Sequence, residues 1–234
     1  MHCIIFTGGN MPNKEKAFSY IKNYDFCIVA DSGLIACEEF GFKPDIILGD
    51  FDSLSERDAD WKKRLEKYPK EIIQSWDTYK DYSDTELAIL CANEQVNKIN
   101  GTMQTITLIG GSGGRVDHFL AILALFEQSI HPDIWLCENE VMYCLDVNSP
   151  NHNEIDLYTM SKTDMISVFA LHDYNNKNSL HKLSTCGLEW ELNNLEWHTG
   201  AYSLSNRISD SYYLENKNIH IKVNRGRFLL ITPL

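Results

Sequence analysis

The sequence predicts an α/β N-terminal domain with a mostly parallel sheet, followed by a C-terminal all-β sandwich domain. Three observations carry this. Over the first 135 or so residues, short apolar runs alternate with stretches of helical period, the pattern of strand–helix–strand crossover units. After about residue 140 the helical period fades, and short β-prone pieces follow one another between Asn, Asp, Gly and Ser turns. Between these regions "NSPNHN" (148–153) reads as a linker. The boundary is therefore expected near Leu145–Asn153, giving domains of 1–145 and 146–234.

In the first region the strand-like runs are "CIIF" (3–6), "FCIVA" (26–30), "DIIL" (45–48), "EIIQSW" (71–76) and "TITLIG" (105–110). Each is short, apolar and rich in β-branched residues, as strands buried on both faces are. The helical stretches between and after them are "EKAFSYIKN", "LIACEEFG", "ERDADWKKRLEKY", "TELAILCANEQVNKI" and "VDHFLAILALFEQ". In the second region "MISVFAL", "AYSLS", "SYYLE", "IHIKV" and "RFLLI" read as strands of an antiparallel sandwich.

The bulk numbers exclude several function classes. A chain of 234 residues with 44% hydrophobic and 23% charged residues can bury a real core. Its net charge of -12 argues against a nucleic-acid backbone or an anionic membrane surface as partner. A small polyanion such as a nucleotide remains compatible when a metal ion neutralises both sides. Seven cysteines without a C-x-x-C pair form neither a disulfide framework nor a zinc site, which fits the reducing cytoplasm. The chain begins on a strand-like run without the regions of a signal peptide, and "FLAILALF" is too short to span a bilayer.

In an open parallel sheet, ligands bind beyond the carboxyl ends of the strands. Five polar clusters fall at such ends: "TGGN", "ADSG", "GDFDS", "DTYKDYSD" and "GGSGGRVDH". Each has a plain structural alternative. Asp31 could cap a helix or sit in a turn, and Asp52 could cap the helix after "GDFDS". "KDYSD" could be a solvated loop ending in a cap, and "GGSGGR" a flexible connection. Together these alternatives require many carboxylates to crowd one sheet edge with no cation to hold them. Asp50, Asp52, Asp81 and Asp84 are hard oxygen ligands suited to Mg2+, which takes its remaining ligands from waters and substrate phosphates. The glycine loop brings backbone N–H groups to phosphate oxygens, while Arg115 adds a planar fork and Lys80 a compact charge. His118 either donates to a phosphate or rests in the first helical turn. There is no G-x-x-x-x-G-K-[ST] and no G-x-G-x-x-G.

Six motifs in order, "ADSG" (30–33), "GDFDS" (49–53), "KDYSDTELA" (80–88), "GGSGGRVDH" (110–118), "GLEW" (187–190) and "SN" (205–206), resemble the thiamine pyrophosphokinase (thiamine diphosphokinase) family over nearly the whole chain. Ser83 and Ser112 stand where threonine is common, Arg207 follows the "SN" pair, and "LHDYNNKNSLHKL" has no clear counterpart. The resemblance implies an α/β domain and a β-sandwich working as a homodimer with shared active sites. It also implies transfer of a pyrophosphoryl group from ATP to the hydroxyethyl arm of thiamine, with release of AMP. It carries active-site roles to Asp31, Asp50, Asp52 and Asp84, with Asp81 beside them. The charge neutralisation such a transfer needs assigns the metal to Asp50, Asp52 and Asp84. ATP contacts pass to Ser32, Lys80, Gly111, Gly113, Gly114, Arg115, Asp117 and His118. Trp190, Ser205 and Asn206 match the vitamin-binding wall, where an indole can stack on the flat thiazolium cation. Without the resemblance Trp190 reads as a core tryptophan. Two rivals are a metal-dependent glycosyltransferase, which uses a D-x-D, and a non-catalytic nucleotide- or vitamin-binding sensor.

Overall fold

The structure, a computed structural model, describes residues 1–76, 82–98, 105–158, 160–172, 180–193 and 195–234. The chain forms two compact units. The first comprises Met1–Leu125, Ile130–Asn139 and Leu234, and the second Phe126–Ser129 and Glu140–Pro233. The expected division after residue 145 falls at the end of a strand, Glu140–Asp146, which belongs to the second unit.

The first unit runs β1 (His2–Phe6), α1 (Lys14–Ile21), β2 (Phe26–Ala30), α2 (Gly33–Phe40), β3 (Ile46–Gly49), α3 (Asp52–Arg57), α4 (Trp61–Leu65), β4 (Ile73–Ser75), α5 (Asp84–Lys98), β5 (Thr105–Ile109), α6 (Val116–Leu125) and β6 (Ile134–Leu136). The strands are parallel in the order β6-β5-β1-β2-β3-β4, with β1 at the centre between β5 and β2. Helices cover a parallel sheet on its faces, so the inner strands lose their polar alternation. Ile4, Ile5, Phe6, Ile28, Val29, Ile47 and Leu48 are all buried. None of the seven cysteines is in a disulfide, and only Cys186 is exposed. No described helix is long and apolar enough to cross a membrane.

Several expectations in this unit change. The strand expected over 71–76 is Ile73–Ser75 after a 3-10 turn at Lys70–Ile72, and α6 stops at Leu125, short of Gln128. The single helix over 56–68 is two helices, because Asp58 is extended (φ -135°, ψ 106°). Its carboxylate accepts from the Asp60 N–H and from Arg64 Nε, which folds the chain back on itself. The strand β6 was not expected. Its Trp135 is fully buried, and the indole N–H donates to the Gly110 carbonyl at 2.6 Å, fixing the start of the glycine loop.

The second unit holds β7 (Glu140–Asp146), β8 (Glu154–Leu157), β9 (Ile166–Ala170), β10 (Leu180–Cys186), β11 (Trp197–His198), β12 (Tyr202–Asn206), α7 (Asp210–Leu214), β13 (Ile219–Arg225) and β14 (Arg227–Pro233). Antiparallel pairing gives two sheets, β12-β9-β14-β7 and β11-β10-β13-β8. Alternate residues of β9 (Ile166, Val168, Ala170) and β13 (Ile219, Ile221, Val223) enter one core with Leu183 and Phe228. Beside that core, buried Arg227 donates to Asp146 and to the Phe126 and Gln128 carbonyls, holding the Phe126–Ser129 turn. "SYYLE" is not a strand but the helix α7. Ser209 caps it by accepting from the Tyr212 N–H, and Asp210 sits in its first turn, a local cap that outweighs the β preference of the two tyrosines.

Candidate active site

The strand-end loops of the first unit enclose a cleft of about 580 Å3. Its walls come from Thr7–Asn10 after β1, Ala30–Ser32 after β2, and Asp50, Asp52 and Ser53 after β3. Tyr82–Thr85 at the start of α5 and Gly111, Gly113, Gly114, Arg115 and His118 after β5 add to it.

Asp31 is the anchor of this arrangement. It adopts a left-handed backbone (φ 48°), which for a non-glycine residue persists only when its surroundings hold it. The Asp31 N–H donates to the Leu48 carbonyl at 2.8 Å. Its two carboxylate oxygens accept the N–H groups of Ser53 (3.2 Å) and Leu54 (3.0 Å) at the start of α3. The alternative of a capping aspartate is thus partly right, but the helix capped is a neighbour's. Gly49 (φ 148°) makes this crossing possible, since a Cβ there would press within 3.2 Å of the Asp31 side chain. Phe51 is also left-handed (φ 63°). It is buried and stacks on Trp61, which turns the chain so that Asp50 and Asp52 reach the cleft.

Carboxylate oxygens of Asp31, Asp50 and Asp84 all lie within 4.8 Å of one another, with Asp31 buried and the other two half-buried. Burial, reinforced by the charges of Asp84 and Asp52, pushes the Asp31 carboxyl up to about 6 against the pull of its two N–H donors. Asp52 moves the other way. Burial would raise it, but hydrogen bonds involving Ser53, Asp50 and Asp31 carry it below the ordinary range. Three hard oxygen donors this close, one of them buried, suit a divalent cation such as Mg2+. The sequence-based set had Asp52 in place of Asp31. In the structure Asp52 accepts from the Ser53 N–H and hydroxyl, in the first turn of α3.

The glycine loop is fastened to the loop after β1. The Gly111 N–H donates to the Gly8 carbonyl (2.5 Å) and the Asn10 N–H to the Ser112 carbonyl (2.7 Å). Gly113 (φ 71°) lies so close to the Asn10 carboxamide that any Cβ would collide with it. Arg115 is exposed and gripped by Asp117 through Nε (3.1 Å) and Nη2 (2.6 Å). That hydrogen-bonded pair draws the Asp117 carboxyl down to about 2. Asp117 therefore holds Arg115 rather than forming the cleft wall, whereas Ser32, Gly111, Gly113, Gly114 and His118 do line it. Lys80 and Asp81 lie outside the described residues.

Sequence reasoning did not single out several lining groups. Thr7 and Thr85 share a buried 2.7 Å hydroxyl contact that ties the end of β1 to α5. The strand-end cluster "TGGN" is the signal in the sequence for Thr7 and Asn10. Glu56 and Arg57 on α3 also line the cleft.

Trp190, Ser205 and Asn206 belong to the second unit. Asn206 is buried and clasps Trp190 from both sides, donating to its carbonyl (2.7 Å) and accepting from its N–H (3.3 Å). Ser205 is left-handed (φ 58°). Trp190 is 55% exposed, with the Arg207 guanidinium 5.2 Å from its ring centre, while Trp197 is the tryptophan in the sandwich core.

A family model described as thiamin pyrophosphokinase, catalytic domain, matches residues 17–137, just over half of the chain. The chain belongs to the thiamin pyrophosphokinase family. The matched span contains the Asp31, Asp50 and Asp84 group and the glycine loop. A curated thiamine pyrophosphokinase of Bacillus subtilis is 25% identical over 182 residues, 78% of this chain and 77% of its own. A solved thiamine pyrophosphokinase structure from Bacillus subtilis superposes with a TM-score of 0.73 at 21% identity, covering 100% of this chain and 99% of that one. Thiamin pyrophosphokinase from Candida albicans gives 0.69 at 15% identity, over 100% and 88%. At such identities the structural likeness to this family bears on the fold, an α/β unit followed by an antiparallel β unit.

Proposed function

We propose that the protein transfers a pyrophosphoryl group from ATP to thiamine, giving thiamine diphosphate and AMP. The observation that carries this reading is the Asp31, Asp50 and Asp84 group facing a glycine loop within the span matched by the family model. Asp31, Asp50 and Asp84 would hold Mg2+. When bound, the ion would neutralise charge on the phosphate oxygens.

Attack by the thiamine hydroxyl on the β-phosphorus forms one O–P bond, breaks the bond from that phosphorus to the bridging oxygen, which leaves with AMP, and releases the hydroxyl proton to solvent. Such a transfer needs positioning and charge neutralisation more than covalent help. The backbone N–H groups of Gly113 and Gly114 and the Arg115 fork bind phosphate oxygens, with Ser32 and His118 on the same wall. Lys80 and Asp81 are assigned to this site on the resemblance alone. Asp52, held ionised, accepts a hydrogen bond from the attacking hydroxyl and orients it. Exposed Trp190 offers an indole face to the thiazolium, with Asn206 and Ser205 shaping the strand beside it. The resemblance supports a homodimer in which Trp190 of one chain serves the carboxylate cleft of the other. The scattered cysteines, without a C-x-x-C pair, and the acidic charge support a cytoplasmic enzyme without a nucleic-acid partner. Chelation is the direct test: EDTA should abolish AMP formation and Mg2+ restore it, and activity indifferent to chelator would reject the metal site.

A further inference from the structure

We infer that Arg57, on the short helix α3, is a second guanidinium that binds the polyphosphate of the nucleotide. This rests on the pyrophosphoryl-transfer reading of the cleft and assigns it a residue outside the motifs that suggested it.

Charge in the cleft poses the problem. Among the described residues its walls carry five carboxylates, Asp31, Asp50, Asp52, Glu56 and Asp84, against two guanidinium groups, Arg57 and Arg115. A triphosphate adds further negative charge. Arg115 meets it already committed, with Nε and Nη2 both donating to Asp117, so much of its charge is offset. Arg57 has no ion pair or hydrogen bond from its side chain among the described residues, yet it lines the same cleft. Among the described residues it is therefore the cleft cation whose full charge and all five donors are available to a ligand.

Placement supports the same role. Arg57 lies one helical turn after Ser53, so both share a face of α3, and the Ser53 N–H is held by Asp31. The neighbouring Glu56 is close enough to Arg115 to act on its charge. The two guanidinium groups thus approach one cleft from two segments, Arg115 from the glycine loop and Arg57 from α3. Arg57 is a last-turn residue with an exposed side chain and, among the described residues, no tertiary bond to lose, so replacing it should leave the fold intact.

The test compares wild type, Arg57→Gln and Arg57→Lys, each checked for unchanged thermal unfolding. Steady-state AMP formation gives KM for ATP and for thiamine, and inorganic tripolyphosphate serves as a competitor lacking the nucleoside. Arg57→Gln should raise KM for ATP by about ten- to a hundredfold, the range of a lost charge-assisted hydrogen bond, and leave KM for thiamine unchanged. Inhibition by tripolyphosphate should weaken by the same factor, and Arg57→Lys should fall between. A variant with wild-type KM for ATP, or one in which tripolyphosphate inhibition is unaffected, would overturn the inference while leaving the reaction itself standing. Wild-type protein that forms no thiamine-dependent AMP would remove the reaction, and with it the ground for this role.

Discussion

Asp31 combines a left-handed backbone, a buried carboxyl lifted to about 6, and two backbone donors that orient it. The consequence for pH follows from where the proton binds. Because the folded-state value lies above the ordinary 3.8, the folded protein binds the proton more tightly than the unfolded chain between pH 4 and 6. Stability contributed by this group is therefore present at low pH and lost as pH rises through that window. In metal-free protein, the difference in melting temperature between wild type and Asp31→Asn should shift against wild type from pH 4 to 6 and then level off. A difference independent of pH would mean the carboxyl is unperturbed. The group of three oxygens makes a second prediction, read with Mn2+ as a binding probe. Asp84→Asn should weaken Mn2+ at least about tenfold, whereas Asp52→Asn should retain Mn2+ yet lose about a hundredfold in turnover. At this scale the sequence was legible where residue chemistry is unusual: paired aspartates and a glycine run cannot hide. Arg57 could not be read, because a basic residue within "SERDAD" looks like a solvated helix face until the topology shows which wall it lines.

Elements were legible in proportion to the length and purity of their period. The apolar runs of β1, β2, β3 and β5 and the helices α2, α5 and α6 stand within a residue or so of expectation, apart from the last residues of α6. Short elements shaped by local hydrogen bonds escaped: the break at Asp58, the Ser209 cap of α7, and three-residue β6, whose weight lies in one buried tryptophan. The loop pair after β1 and β5 is of this kind, since its register comes from Gly111–Gly8 and Asn10–Ser112 bonds between distant segments. Gly113→Ala tests it. A methyl group at φ 71° beside Asn10 must displace the carboxamide, so KM for ATP should rise several-fold more than KM for thiamine. Equal changes in both would show that the loop shapes the whole cleft and does not read phosphate.

For the molecule as a whole, alternating strands and helices followed by antiparallel strands specified an α/β unit and a β unit, and each forms its own core. The parallel sheet gathers loops far apart in sequence onto one edge, as it does with Asp31 and the glycine loop. The Trp190–Asn206 clasp sits in the other unit and was not legible, since an exposed tryptophan and a core tryptophan look alike in sequence. The central claim is that these parts serve pyrophosphoryl transfer, and the fate of the nucleotide tests it most directly. With ATP labelled at the β-phosphorus, Mg2+ and thiamine, the label should pass to thiamine diphosphate and the nucleotide product should be AMP. ADP as the product with label retained on the nucleotide, or AMP formed at the same rate without thiamine, would contradict it.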